Sequence, residues 1–285
     1  LLIAANHPNS FLDAIILATV FDQPIYSLVR GDVYKNNFYS FLLTSLNMLP
    51  VYRISEGAGN LGNNYDTFTR CREIFKKNGI VLIFSEGRCI NEWKLRPLMK
   101  GTARIALSSW EEGINLTVLP AGINYQSFTS FGKNTHLNFG NLISREEIAA
   151  YNGYGNSINE FNRKLEARLQ SLVTRIDSSD TDAIKRTFTV RVPVSKKILL
   201  FIPAMLGLLF HAPLYYPVKF ISWRKASHND HYDSVLVGML FVLYPFYLVV
   251  AGALLARATG SWYWLPAILA APFFAWAAVQ LKKQF

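Results

Sequence analysis

Through residue 190 the apolar positions fall in short runs separated by amphipathic stretches. "LLIAA" (1–5), "PIYSLV" (24–29), "MLPVYR" (48–53), "IVLIF" (80–84) and "LTVLPAGI" (116–123) are short, apolar and rich in β-branched residues. Such runs fit strands buried on both faces. Between them apolar residues recur at helical spacing. One helix opens at Ser10, others cover about 36–46, 65–77 and 101–110, and a charged one covers about 158–175. The alternation predicts an α/β domain with a mixed, largely parallel sheet flanked by helices.

After Val190 the pattern changes. Val235 to Ala256 and Ser261 to Leu281 carry no charge, and each is long enough to cross a bilayer core of ~30 Å. Trp262, Tyr263 and Trp264 stand at one end, as interfacial aromatics do. The run 198–222 is also apolar but contains Pro203, His211, Pro213, Pro217 and Lys219. It fits a third span or a broken helix lying in the membrane plane. If only the last two runs cross, Arg224, Lys225, Lys282 and Lys283 share one side, which the positive-inside rule makes the cytoplasm. The expectation is therefore a domain over 1–190 facing the cytoplasm, then a helical membrane region over 191–285. Its spans are about 235–256 and 261–281, with an in-plane or third segment at about 198–222. The chain opens inside a strand-like run without Met, so a longer parent protein is expected.

Composition narrows the classes. Hydrophobic residues make up 51% and aromatics 14%, both high for a soluble domain. The net charge of +10 suits an anionic partner. Cys71 and Cys89 have neither metal-site nor disulfide-framework spacing, which fits a reducing compartment.

The candidate chemistry sits in "IAANHPNSFLDAII", residues 3–16. A strand ending at Asn6 would deliver His7 to the carboxyl end of the sheet, where open α/β sheets bind ligands. Ser10 suits an N-cap, and Asp13 at the third helical position can answer it in a capping-box-like arrangement. On that reading His7 is a turn residue. The competing reading is that Asp13 fixes the imidazole tautomer and leaves the other ring nitrogen as a base on an attacking hydroxyl. Ser10 as a nucleophile lacks the G-x-S-x-G context of a nucleophile elbow. Spacing alone leaves the capped helix and the catalytic pair equally open.

"NHPNSFLD" resembles the first block, N-H-x-x-x-x-D, of the glycerol-phosphate and lysophospholipid acyltransferases. Three more blocks follow in order: "LPVYR" (49–53), "IFSEGR" (83–88, usually F-P-E-G-[TS]-R) and "LTVLPAGI" (116–123). Five residues rather than four separate His7 from Asp13, a longer form resembling glycerol-3-phosphate/dihydroxyacetone-phosphate acyltransferases. Ser85 replaces Pro, and Arg88 stands where Thr or Ser is usual, which leaves the block's Arg role to Arg88, Lys94 or Arg96. The resemblance implies a glycerolipid acyltransferase-like fold to about residue 175. It also implies His7 as general base, Asp13 orienting it, and Arg53, Glu86, Gly87 and Arg88 shaping the acceptor site. Pro120 would support the acyl-donor side, and Asn6, Ser10, Arg96 and Lys100 are weaker candidates.

The implied partners are acyl-CoA or acyl carrier protein as co-substrate, a glycerol-phosphate acceptor and membrane lipids. No other cofactor, metal or nucleic acid is expected. "GAGNLG" (57–62) matches G-x-G-x-x-G but does not follow a strand directly, so it reads as a loop. "SHNDHYD" (227–233) holds two His and two Asp but reads as a polar loop between membrane segments. The altered third block keeps a second reading open: a non-catalytic lipid-binding module on a degenerate acyltransferase fold.

Overall fold

The computed structural model describes residues 1–35, 37–52, 63–148, 153–261 and 264–282. It divides into two compact units, residues 1–124 with 136–178, and residues 125–135 with 179–285.

The first unit is built on a six-stranded sheet. Its strands are β1 (Leu2–Ala5), β2 (Ile25–Arg30), β3 (Met48–Val51), β4 (Ile80–Phe84), β5 (Val118–Tyr125) and β6 (Thr135–Phe139), in the order β3-β2-β4-β1-β5-β6. β1 runs parallel to β4 and β5, and β2 runs parallel to β3 and β4. This is the mixed, mostly parallel sheet the apolar runs predict. The central strand explains why: all four residues of β1 are fully buried, and so are Val81, Leu82 and Val118 beside it. Strands covered on both faces leave no place for an alternating polar position.

The helices fall where the periodicity places them: α1 (Phe11–Ala18), α2 (Asn37–Ser45), α3 (Asn63–Lys76), α4 (Gly101–Glu111) and α5 (Tyr154–Leu172). α5 buries Ile158, Phe161, Leu165 and Leu169, an i, i+3, i+4 stripe, in the same core as Trp110 of α4. The Trp110 ring meets Phe161 at 6.0 Å between centroids, and its Nε1 donates to the Leu116 carbonyl at 2.7 Å. Each fully buried side chain of this kind contributes roughly 1.5–3 kcal/mol.

The second unit holds a short helix, α6 (Thr181–Phe188), and three long ones: α7 (Val194–Ala226), α8 (Tyr232–Thr259) and α9 (Trp264–Lys282). α6 is capped by Asp180, whose Oδ1 accepts from the Ala183 N–H at 2.8 Å. The long helices are each long and apolar enough to cross a membrane. Large apolar side chains stand outward on all three; Phe241 is 80% exposed. Such a surface suits a lipid environment.

The run around 198–222 is one continuous helix within α7, packed on both α8 and α9, rather than a broken segment. Pro203, Pro213 and Pro217 remain inside it. Membrane helices tolerate proline because neighbouring helices satisfy backbone groups that the ring leaves open. Close to Pro213, Tyr247 of α8 donates its hydroxyl to the Phe210 carbonyl and ties the two helices together. His211 bridges the Gly207 carbonyl (2.8 Å) and the Tyr244 hydroxyl (3.1 Å). The loop 126–134 belongs to this unit: Lys133 pairs with Asp233, and Asn134 Nδ2 donates to the Phe188 carbonyl at 2.9 Å. Among the described residues no three His, Cys, Asp or Glu side chains gather as a metal site would require.

Candidate active site

β1 and β4 end side by side, with Ala5 in register with Phe84. One more ladder bond follows, from the Ser85 N–H to the Ala5 carbonyl at 2.9 Å. His7 and Glu86 therefore leave the sheet together at its carboxyl edge. Asn6 fixes the departure on the other side: its Nδ2 donates to the Ile123 carbonyl (3.0 Å), and its Oδ1 accepts from the Ile123 N–H (2.7 Å). It is buried and anchors β1 to β5.

The His7 Nδ1 lies 2.8 Å from Asp13 Oδ2. Asp13 is fully buried at the start of α1, where the helix dipole favours a carboxylate. A carboxylate can only accept, so this contact places the hydrogen on Nδ1 and leaves the Nε2 lone pair for a substrate proton. The same Asp13 oxygen accepts from the Asn9 N–H at 2.8 Å. The capping box expected between Ser10 and Asp13 does not form: the Ser10 side chain makes no cap bond, and Asp13 turns toward His7 instead. Ser10 has φ 56 and ψ −134, a region that favours glycine and costs a side-chain-bearing residue of order 1–3 kcal/mol. The longer loop between His7 and Asp13 reverses at this residue.

The third block wraps the first. Glu86 Oε2 accepts from the His7 N–H (2.7 Å), and Oε1 accepts from the Arg96 N–H (2.8 Å). Glu86 is buried, and that burial raises its carboxyl above the usual value, partly offset by these two N–H groups and by the nearby positive charge. Both oxygens of its side chain are thus engaged by backbone N–H groups. Gly87 has φ 67, and a Cβ there would meet the Met99 side chain. Phe84, the Phe of the third block, supports the imidazole: the two rings stack with centroids 3.9 Å apart and planes 10° apart. The two thiols differ. Cys71 is fully buried and pushed up to about 12 by that burial, whereas half-buried Cys89 accepts the Ser10 N–H at 2.9 Å.

The remaining predicted residues spread out. Arg88 is exposed at the tip of this loop. Arg96 pairs with Glu92 at 2.9 Å, and Lys94 pairs with the same carboxylate at 3.0 Å. Lys100 flanks the start of α4. Pro120 is buried in β5 beside Ala4. Arg53 and the 57–62 loop lie outside the described residues.

Residues 1–124, which carry β1 through β4, most of β5 and this dyad, match the Acyltransferase family model. The matched segment contains all four blocks, including the His7–Asp13 pair and the Glu86 turn. Among solved structures the chain is similar to the crystal structure of PlsC, the 1-acyl-sn-glycerophosphate (LPA) acyltransferase of Thermotoga maritima. Identity is 14% and the TM-score 0.39, over 60% of this chain and 66% of that one. The chain therefore spans less than two thirds of that protein's length. No curated protein sequence matches it.

Proposed function

We propose that this protein is a membrane-bound O-acyltransferase of phospholipid synthesis. It moves a fatty acyl group from acyl-CoA or acyl carrier protein to a hydroxyl of glycerol 3-phosphate or lysophosphatidate. The observation that carries the reading is the 2.8 Å contact between His7 Nδ1 and buried Asp13, at the carboxyl edge of the sheet in the segment that matches the Acyltransferase family model.

In this mechanism His7 Nε2 takes the proton of the acceptor hydroxyl as its oxygen attacks the thioester carbonyl. Asp13 stays ionised and stabilises the imidazolium that forms. The tetrahedral intermediate collapses, the carbon–sulfur bond breaks, and the imidazolium returns its proton to the leaving thiolate. A positioned base of this kind contributes roughly 10²–10⁴ in rate. Arg88 and Arg53 are proposed to receive the acceptor phosphate, for which a guanidinium fork is suited. Glu86 and Gly87 shape the same end of the site. The domain is proposed to face the cytoplasm on the reading that α8 and α9 alone cross: Arg224 and Lys225 in the last turn of α7 and Lys282 in the last turn of α9 then share its side.

The test compares wild-type and His7→Ala chains in membranes, supplied with acyl-CoA or acyl carrier protein thioester and each acceptor. Loss of transfer in a folded His7→Ala chain supports the assignment. Full activity in that variant removes His7 as the base. Lipid binding by the wild type without turnover on any pair would favour the non-catalytic reading.

A further inference from the structure

The loop carrying the dyad and the loop after β4 are joined by four hydrogen bonds between residues about 80 apart in sequence. The His7 N–H goes to Glu86 Oε2, and the His7 carbonyl takes the Ile90 N–H at 3.2 Å. The Pro8 carbonyl takes Asn91 Nδ2 at 2.7 Å, and the Ser10 N–H goes to Cys89 Sγ at 2.9 Å. Two of these bonds use side chains, Cys89 and Asn91, that lie beyond the Glu86–Gly87 pair.

We propose that Cys89 and Asn91 are positioning residues for the His7–Asp13 pair. The assignment of a role in transfer rests on the acyltransferase reading above; the geometric claim does not. The reason such residues are needed is the backbone between the two members of the dyad. Five residues separate them, and Ser10 holds a conformation that an L side chain disfavours. Left to itself the loop would relax toward ordinary torsions at Ser10, and His7 Nδ1 would leave Asp13 Oδ2. Asn91 pins the loop at Pro8, one residue after His7. Cys89 pins it at Ser10, the disfavoured residue itself. Between these pins the Asn9 N–H is free to meet Asp13, as it does at 2.8 Å.

The chemistry of each side chain fits that task. A thiol is a weak acceptor and tolerates the longer reach of sulfur, so it can close on Ser10 without crowding the turn. The Asn91 amide donates to the carbonyl of Pro8, whose ring fixes φ at that residue. Neither residue touches the reacting atoms, so their removal misplaces the base rather than deleting it.

The experiment uses the full chain in membranes or detergent, in wild-type, Cys89→Ala, Cys89→Ser, Asn91→Asp and Cys89→Ala/Asn91→Ala forms. Asn91→Asp keeps the size and loses the donor; Cys89→Ser keeps an acceptor. Two readouts are taken: kcat and KM for donor and acceptor, and the ¹H–¹⁵N signature of the His7 Nδ1–H in chain labelled at its five histidines. The expected result is a kcat lowered on the order of ten- to hundredfold in Cys89→Ala and Asn91→Asp, with KM within about twofold. The hydrogen-bonded His7 signature weakens in both, and Cys89→Ser recovers most of each. Wild-type kcat and an unchanged His7 signature in Asn91→Asp and Cys89→Ala overturn the proposal. If the double variant does not fold, the two single variants decide. A wild type without turnover whose His7 signature still depends on Cys89 and Asn91 leaves the geometry standing and removes only the acyltransferase reading.

Discussion

The His7 imidazole lies flat on the Phe84 ring, 3.9 Å between centroids and 10° between planes. Phe84 is the last residue of β4 and His7 follows β1 by two, so the stack forms because the two strands end in register. It restrains the imidazole to rotate in one plane, which is the plane that carries Nδ1 toward Asp13. An aromatic stack of this kind is worth roughly 0.5–1.5 kcal/mol beyond its buried area. Phe84→Leu keeps an apolar strand end and loses the flat face. Its kcat is expected to fall about three- to tenfold with KM little changed, measured by steady-state transfer from acyl-CoA. Equal kcat in Phe84→Leu and wild type would remove the stack from the site's workings.

Asp13 has a sharper test. Asp13→Asn conserves volume but puts an amide where the carboxylate holds the Nδ1 hydrogen and the charge of the imidazolium. With Asp13 fully buried, solvent cannot replace that charge. Single-turnover transfer is expected to slow on the order of 10² or more, toward the level of His7→Ala. A tenfold or smaller loss would mean that the helix start, not the dyad, is what Asp13 serves.

Glu86 makes a pH prediction with a definite sign. Burial raises its carboxyl in the folded chain above the ordinary value of an unfolded one. The folded state therefore binds the proton more tightly, and the stability this contributes is fully present below the unfolded value. It is lost as pH rises through the raised folded value. Glu86→Gln does not titrate. Wild-type melting temperature relative to Glu86→Gln should therefore rise as pH is lowered across the window above the ordinary carboxylate value. The opposite slope in paired thermal melts would show that the His7 and Arg96 N–H groups outweigh the burial.

The sequence carried the scaffold further than the site. β1 through β5 are legible because strands buried on both faces must be apolar without interruption. β6, "THLNF", is an edge strand with exposed positions and gives no such run. α6 buries only Phe188 and reads as a polar stretch. His7 and Asp13 are legible because six positions of sequence hold both. Cys89 and Asn91 are not, because their partners lie about 80 residues away and nothing local marks them; Phe84 stands in the third block, but its stack on His7 is visible only in the fold. The same gap hides part of what Glu86 does: its two oxygens take backbone N–H groups that only the folded sheet brings near. The prolines of α7 argue for a break that two neighbouring helices prevent.

Ser85 stands where the block usually has proline, and the structure gives the substitution a purpose. Its N–H extends the β1–β4 ladder to the Ala5 carbonyl, and its hydroxyl meets Thr102 Oγ1 at 2.9 Å, with both residues buried. Proline can supply neither bond. Ser85→Pro, a return to the common residue, should therefore destabilise this chain by about 1–3 kcal/mol, because it leaves a buried carbonyl without its donor. Chemical denaturation followed by circular dichroism measures it, and equal or greater stability would mean that the strands re-pair around the proline.

The helical unit yields its own test at Gly207 of α7. A Cβ built there would run into the Phe274 carbonyl of α9, so the two backbones touch at this point. Close approach through a small residue is how helices gain contact in lipid, where apolar surface alone brings no advantage. Gly238 of α8 is the matched control, since a Cβ there meets nothing within 4 Å. Both glycines are helical, so alanine brings each the same gain in helix propensity, about 1 kcal/mol. The packing penalty then separates them. Gly238→Ala should be neutral or slightly stabilising. Gly207→Ala should lose about 1–3 kcal/mol to overpacking, and Gly207→Leu more. Unfolding from mixed micelles by added sodium dodecyl sulfate reads the difference. If Gly207→Ala unfolds no earlier than Gly238→Ala, α7 and α9 do not meet at that depth, and the continuous α7 must be held by Tyr244 and Tyr247 of α8 instead.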